Sequence, residues 1–323
     1  MNHRSFFPCI AALALVALSA APVPAAESDR IVVSGFQRPE SAVYDTMLDL
    51  YLVSNVGDLP VTGFPGALDH NGFISRVSPD GIIVDLRWIR DGVNGVTLNS
   101  PKGIWLHRRA LYVADVDTLR VFDRFTGVPI RNIAMPNPFA PNSVFLNDVV
   151  VDSDGTAYLT DNLNSAIFAV DPDGRASVLA SGPQVGAPNG ILADESGVTW
   201  VTFFGHEVRR LTSSGKIIME APLPAVDVTG LTLGPNPLPP GALLMDGYAR
   251  WHGSLLVTSW VTGKIYRIGR SGTEIETVAQ VVSARDNPNN PDGPAKINID
   301  HSRGRLLIPL FNAGQLVILP LPD

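Results

Sequence analysis

One short pattern occurs six times along this 323-residue chain. Each copy is an apolar segment that opens on a polar residue, followed by a turn and a second apolar segment. The six openings lie at residues 38–45, 100–106, 145–152, 187–194, 244–249 and 294–300. Turn-forming pairs such as Asp80-Gly81 and Asp154-Gly155 close many of the hairpins between them. A repeat of roughly 40–60 residues that holds several short strands is typical of one propeller blade.

The repeats predict an all-β fold, a six-bladed β-propeller with four-stranded antiparallel blades. No long stretch has helical period. The last repeat ends before a fourth strand, whereas residues 30–34 form a spare strand near the start. We therefore expect this N-terminal strand to complete the last blade and leave no open edge. Residues 26–323 are predicted to form a single domain, because blades that share one ring cannot fold as independent halves.

Residues 1–25 have the pattern of a secretory signal peptide. Arg4 precedes an apolar run from Phe6 to Ala21, and small residues around Ala25 offer a cleavage site. A membrane anchor is the alternative, although the run is short for a span. The only cysteine, Cys9, lies inside this segment. The sequence thus predicts a periplasmic or secreted protein whose mature form has no disulfide and no thiolate.

Charge and missing motifs narrow the function classes. The chain has 31 acidic residues against 24 Lys and Arg, a net charge of −7, and no basic run. Nucleic acid is therefore not an expected partner, and no membrane partner is expected after signal cleavage. A small-molecule substrate is expected, while the oligomeric state is left open. The chain also lacks the Gly-x-Ser-x-Gly elbow of common serine hydrolases.

The residues that open the six first strands are all polar. In a propeller the first strand of each blade lines the central channel, so equivalent positions form a ring at one height. This set is here called the mouth ring: Glu40, Lys102, Asn147, Asn189, Asp246 and Lys296. Its position predicts that the channel mouth is the working surface.

Four members of the mouth ring supply carboxylate or amide oxygens, and we predict them as metal ligands: Glu40, Asn147, Asn189 and Asp246. Oxygen ligands of this kind suit Ca²⁺, Mg²⁺ or Mn²⁺. The ring has no histidine, which disfavours zinc or copper. Solvation of a wet channel mouth would also account for polar residues at these positions.

The two lysines of the ring leave three alternatives open. Lys102 and Lys296 could neutralise Glu40 and Asp246 through ion pairs, and the ring would then need no metal. One lysine could instead hold an anionic group of a substrate. It could also act as a base with a lowered pKa.

The loops after the second strands are expected to open on the same face as the mouth ring. The first, from Asn55 to Gly72, is long and rich in glycine and proline, so it is either a binding loop or a surface insertion. His206 is the histidine best placed in these loops for proton transfer, with a solvated side chain as the alternative.

Four motifs, in order and at blade spacing, resemble the gluconolactonase/regucalcin-like (senescence marker protein) family of six-bladed propellers, as an exported bacterial-type member: Pro39-Glu40-Ser41, Asn147-Asp148, Pro188-Asn189-Gly190 and Asp246-Gly247. The resemblance implies a calcium- or zinc-dependent lactone hydrolase. It places metal ligands on Glu40, Asn189 and Asp246, puts Asn147 beside metal and substrate, and gives Asp246 a part in proton transfer.

One departure from the family pattern bears on the substrate. Phe145 stands where sugar lactonases of this family tend to carry arginine, so a more apolar substrate is expected.

The first hypothesis is a divalent-metal-dependent hydrolase of a lactone or related ester, with Ca²⁺ expected and Mg²⁺, Mn²⁺ or Zn²⁺ as alternatives. Asp246, Asn147, Lys102 and Lys296 are its candidate catalytic residues. The rival hypotheses are a non-catalytic binding or scaffold propeller and a condensing enzyme that resembles strictosidine synthase.

Overall fold

The computed structural model describes residues 29–59, 66–229, 231–233, 236–282 and 292–321. Over these ranges the chain forms strands and turns, with no α-helix. Those same ranges contain no helix with the length and apolar character needed to cross a membrane. The predicted signal peptide, residues 1–25, lies outside the described residues.

Six antiparallel sheets of four strands each make up the fold, which confirms the predicted six-bladed β-propeller. Blade 1 contains β2 Pro39–Asp45, β3 Leu50–Asn55, β4 Phe73–Val77 and β5 Ile83–Arg90. Blade 2 contains β6 Pro101–His107, β7 Ala110–Asp115, β8 Thr118–Asp123 and β9 Pro129–Ala134. Blade 3 contains β10 Leu146–Val151, β11 Ala157–Asp161, β12 Ala166–Val170 and β13 Ala176–Ser181.

The remaining blades repeat this order. Blade 4 contains β14 Pro188–Asp194, β15 Gly197–Thr202, β16 Glu207–Thr212 and β17 Ile217–Pro222. A small hairpin follows, β18 Thr232–Leu233 with β19 Asn236–Pro237. Blade 5 contains β20 Met245–Trp251, β21 Ser254–Ser259, β22 Lys264–Ile268 and β23 Ile275–Gln280. Blade 6 contains β24 Asn298–Asp300, β25 Arg305–Leu310, β26 Gln315–Pro320 and the N-terminal β1 Ile31–Ser34.

The N-terminal strand completes blade 6, as the sequence predicts. β1 pairs antiparallel with β26, so that Ile31 lies opposite Ile318 and Ser34 opposite Gln315. The resulting order in this sheet is β1-β26-β25-β24. Strands from both ends of the chain therefore share one blade, and this pairing covers an edge that would otherwise be open.

The innermost strands contact one another in a closed sequence around the axis. The amide of Lys296 in blade 6 donates to the carbonyl oxygen of Glu40 in blade 1 at 3.0 Å. The amide of Ile191 in blade 4 donates to Asp148 of blade 3 at 2.9 Å. Glycines allow further close approaches, since a Cβ on Gly190 would clash with the carbonyl oxygen of Asp246 in blade 5. These contacts hold neighbouring inner strands against one another.

Buried apolar residues fill the spaces between neighbouring blades. One cluster joins blades 2 and 3, another blades 3 and 4, and a third blades 4 and 5. Trp105 of β6 packs against all three of these clusters. A side chain from blade 2 can reach the interior of blades 3, 4 and 5 only from the central axis, so Trp105 occupies the channel.

Candidate functional site at the channel mouth

The mouth ring is built on a β-bulge that recurs in the inner strands. In β2 the pairing register shifts between Pro39 and Ser41, so that Glu40 is the extra residue. Equivalent shifts hold the corresponding positions of blades 2 to 5. In blade 6, Pro294 bridges Leu310 and Asn298 pairs with Leu307, which gives the same offset around Lys296. A bulge redirects the side chain of its extra residue, and here it does so at every blade.

Hydroxyl side chains on the second strands hold several of these bulges. Ser54 accepts a hydrogen bond from the amide of Ser41 at 3.0 Å. Thr160 accepts from Asp148 at 3.0 Å, and Thr258 accepts from Gly247 at 2.6 Å. These bonds satisfy amides that the bulge removes from the ladder between strands. The sequence therefore dictates the bulge through residues on the neighbouring strand as well as on the inner one.

All six members of the mouth ring are buried, which separates them from ordinary solvated surface residues. The largest exposure among them is 8%, at Asn147. Four side-chain oxygens in the ring have no hydrogen-bond partner among the described residues: Glu40 Oε2, Asn147 Oδ1, Asn189 Oδ1 and Asp246 Oδ1. A buried polar atom without a partner costs about 1–3 kcal/mol. Four such atoms on the four predicted ligands leave room for a species that binds oxygen.

The carboxylates of the ring affect one another strongly. Burial raises the pKa of Glu40 well above its usual range, and the nearby carboxylates of Asp246 and Asp148 raise it further. Burial, followed by the charge of Asp148, raises the pKa of Asp246 to about 8. Lys102 and Lys296 oppose these shifts at Glu40. The structure thus brings Glu40, Asp246 and both lysines into one electrostatic cluster around the axis.

Asn189 and Trp260 lie beside the carboxylate of Asp246. Both lower its pKa, although neither the amide nitrogen of Asn189 nor the indole nitrogen of Trp260 makes a hydrogen bond of ordinary geometry. Asn147 occupies the bulge of β10 next to Asp148. The described contacts of Asn147 do not include one to another ring side chain.

Lys296 crosses the channel to Asp148, a residue that sequence reasoning did not select as a site residue. Its ammonium forms an ion pair with Asp148 Oδ1 and donates to the carbonyl oxygen of Val149 at 3.1 Å. Both charged side chains are almost completely buried, and the ammonium lies 5.6 Å from the centre of the Trp105 ring. Because blades 3 and 6 face each other in a six-bladed ring, this pair spans the channel.

Lys102 has a different environment. Its ammonium donates to the carbonyl oxygen of Ser100 at 3.2 Å and lies 4.4 Å from the centre of the Phe145 ring. Burial lowers its pKa to about 8, although the charges of Asp115 and Glu40 act in the opposite direction. Of the two ring lysines, only Lys296 has an ion pair within the described part of the chain. The alternative of ion pairs from the lysines to Glu40 and Asp246 is not seen among the described contacts, and Lys296 pairs with Asp148 instead.

Two side chains from loops after second strands differ in where they lie. Trp260 reaches the site, as described above, and its ring centre lies 6.0 Å from that of Phe311. His206 is half-buried beside Gly241, away from the described contacts of the ring. The described parts of the loop Asn55–Gly72 are residues 55–59 and 66–72.

The donor set of the mouth ring fits a hard divalent cation. Two carboxylates and two amides of the ring carry buried oxygens that have no partner among the described residues, and such ligands suit calcium or magnesium. In the described ranges no three residues drawn from His, Cys, Asp and Glu form a metal-binding group. The candidate site therefore depends on its asparagines as well as its acids.

Comparison with known proteins supports the architecture. No protein-family model and no curated protein sequence matches the chain. Among solved structures, a gluconolactonase from Xanthomonas campestris superposes with a TM-score of 0.57 at 14% identity, covering 95% of this chain and 99% of that one.

Two lyases superpose almost as well. A streptogramin B lyase has a TM-score of 0.56 and 15% identity, covering 90% of this chain and 98% of that one. A catalytically inactive His-to-Ala variant of virginiamycin B lyase from Staphylococcus aureus, with quinupristin, has a TM-score of 0.53 and 16% identity and covers 91% and 99%. The class defined by fold and site is a six-bladed β-propeller with a buried polar ring at its mouth. Its structural neighbours include gluconolactonases and virginiamycin B lyases.

Proposed function

We propose that this propeller is a divalent-metal-dependent hydrolase of a lactone or related ester. The observation that carries the proposal is that Glu40, Asn147, Asn189 and Asp246 each carry a buried side-chain oxygen with no hydrogen-bond partner among the described residues. Burying these atoms without any ligand is costly, and a hard cation is the species that two carboxylates and two amides bind best. The superposition on a gluconolactonase supports the same reading.

Different residues of the ring would bind the cation, orient the substrate and transfer protons. Glu40, Asn189 and Asp246 would hold the cation, with Asn147 beside it. A bound divalent cation supplies a Lewis acid that polarises an ester carbonyl and acidifies water. Asn147 orients the substrate oxygen through its amide.

Asp246 and Lys102 are the proton-handling groups of the site. The pKa of Asp246 is raised to about 8 without a cation, so its carboxyl can carry or release a proton near neutral pH. Lys102 lies in the blade next to that of Glu40, and burial lowers its pKa to about 8. Lys296 forms an ion pair with Asp148. The role of Lys296 is therefore to position the residues of the ring and to balance the negative charge of the carboxylates.

The test is a panel of lactones and aryl esters, assayed with and without a chelator. We expect hydrolysis that chelation abolishes and added Ca²⁺, Mg²⁺ or Mn²⁺ restores. Glu40→Gln and Asp246→Asn preserve shape, and each is expected to lower kcat/KM by about 100-fold or more. Asp173→Asn, an exposed carboxylate away from the mouth, is the matched control. Background rates across the whole panel would refute the proposal.

A non-catalytic binding propeller is the second candidate, and the two ring lysines favour it because their charges oppose the raised pKa of Glu40 without a metal. Metal analysis after dialysis distinguishes the two candidates. A stoichiometric cation that is lost in Asp246→Asn favours the hydrolase. A protein that contains no metal, and that is as stable after dialysis as before it, favours the binding propeller.

Lyase chemistry is a further outcome that the assay can detect. The superposed virginiamycin B lyase is inactive when a histidine is replaced, whereas the mouth ring of this chain has no histidine.

We also propose that the protein acts in the periplasm or outside the cell, because residues 1–25 have the pattern of a signal peptide.

A further inference from the structure

We infer that a groove beside the mouth ring binds an apolar arm of the substrate, so that the protein prefers lactones or esters with long alkyl or acyl chains over polyhydroxylated ones. This inference rests on the proposed function for the location of the reacting carbonyl. It concerns a different part of the molecule, however, and the residues that carry it lie outside the ring.

The groove lies on the mouth face between blades 1, 2 and 3 and has a volume of about 530 Å³. Its described lining is Gly66, Leu68, Val116, Asp117, Asn142, Ser143, Val144, Phe145 and Leu163. Cavities of this size hold small organic ligands. Within this lining there is no Lys, Arg or His.

Two leucines on opposite loops border the groove. Leu68 is 61% exposed and Leu163 is 56% exposed. Other large exposed apolar side chains, such as Val84, Ile130 and Met219, lie on the outermost strands of their blades. Leu68 and Leu163 instead follow second strands and reach the same face as the ring. An apolar ligand between them would remove both side chains from water.

Part of the polar lining of the groove already makes hydrogen bonds within the protein. Asp117 accepts a hydrogen bond from the hydroxyl of Thr118 at 2.9 Å. The carbonyl oxygens of Asn142 and Ser143 accept from Asn137 and Asn164, at 3.0 and 2.8 Å. A sugar needs many free donors and acceptors, whereas an alkyl chain needs none. The lining therefore suits the alkyl chain.

Phe145 connects the groove to the mouth ring. It lines the groove, and its ring lies 4.4 Å from the ammonium of Lys102. It is also two residues before Asn147 on the approach to β10. A substrate whose carbonyl lies at the ring can therefore extend its chain over Phe145 and out between the two leucines.

The test compares kcat/KM for butyryl and decanoyl esters of one alcohol. We expect the decanoyl ester to be preferred by about fourfold for each methylene that the groove buries. Leu68→Asn and Leu163→Asn should each lower the decanoyl-to-butyryl ratio by about tenfold. Both residues are exposed, so the variants should fold. Met219→Asn removes an equally exposed apolar side chain from β17 and should leave the ratio unchanged.

A binding measurement separates failure of this inference from failure of the proposed function. Calorimetry with N-methyl decanamide and N-methyl butanamide needs no turnover. Tighter binding of the longer amide that is lost in Leu68→Asn supports the groove even if no ester is hydrolysed. Hydrolysis or binding that is indifferent to chain length, or a preference for polyhydroxylated lactones, would overturn the inference.

Discussion

Replacing Lys296 with methionine should destabilise the protein strongly, although no catalytic role is needed for this effect. Methionine keeps the length and apolar stem of the side chain but removes its charge. The carboxylate of Asp148 would then remain 1% exposed in the centre of the channel. Its remaining donors would be the amides of Val149 and Ile191, at 2.6 and 2.9 Å.

The size of the effect follows from the burial of the pair. Breaking a buried ion pair by removing one partner costs about 3–5 kcal/mol, because the other charge is left uncompensated. Exposed pairs contribute about 1 kcal/mol or less. Burial already raises the pKa of Asp148 above its usual range, and loss of the ammonium would raise it further. The loss of stability in the variant should therefore shrink as the pH falls and Asp148 takes up a proton.

Urea denaturation in the presence of a chelator measures this effect without contributions from cations. Arg175→Met is the control, because Arg175 and Asp173 form a pair that is 76% and 71% exposed. The double variant Lys296→Met with Asp148→Asn should recover part of the stability, since a neutral amide replaces the stranded carboxylate. A loss in Lys296→Met no larger than that in Arg175→Met would refute the buried channel-crossing pair.

Three further predictions follow from the same structure. Gly190→Ala should cost about 1–3 kcal/mol in urea denaturation, because its Cβ would clash with the carbonyl oxygen of Asp246; Gly269→Ala is the control, because its Cβ would come closest to the flexible side chain of Glu274. Ca²⁺ affinity measured by calorimetry should increase with pH up to about 8 and then level off, because the cation must displace a proton from Asp246. An affinity that is constant from pH 6 to pH 9 would contradict this prediction. Tyr51→Phe should destabilise the protein by about 1.5–3 kcal/mol in the same urea assay, because the buried Tyr51 hydroxyl donates to Asp300 of blade 6 at 2.9 Å; an unchanged midpoint would contradict this.

The fold was predictable because each repeat contains the same local sequence pattern of strands and turns. Short apolar segments and Asp-Gly turns indicate short antiparallel strands, and six copies indicate six blades. The predicted segment at 294–300 was less accurate. Only Asn298–Asp300 forms a strand, while Lys296 makes an isolated bridge to Ser41 of blade 1.

The arrangement of the site was predictable only in part. The six polar positions were visible as a pattern, and all six are buried at the mouth. The bulges were not visible, since they depend on register against the second strand. Asp148 was also missed as a site residue, because its partner Lys296 is 148 residues away and reaches it only across the closed ring.

The pairing of β1 with β26 has a consequence for how the chain reaches its native state. In the strand pair Ile31–Ser34 and Gln315–Pro320, Ser34 is synthesised 281 residues before its neighbour Gln315. Contacts between such distant segments form slowly, because a very long loop must close before they contribute. We therefore expect blade 6 to be the last blade to form. Until it forms, β1 of the nascent polypeptide has no partner strand and is open to binding by a chaperone or a neighbouring molecule.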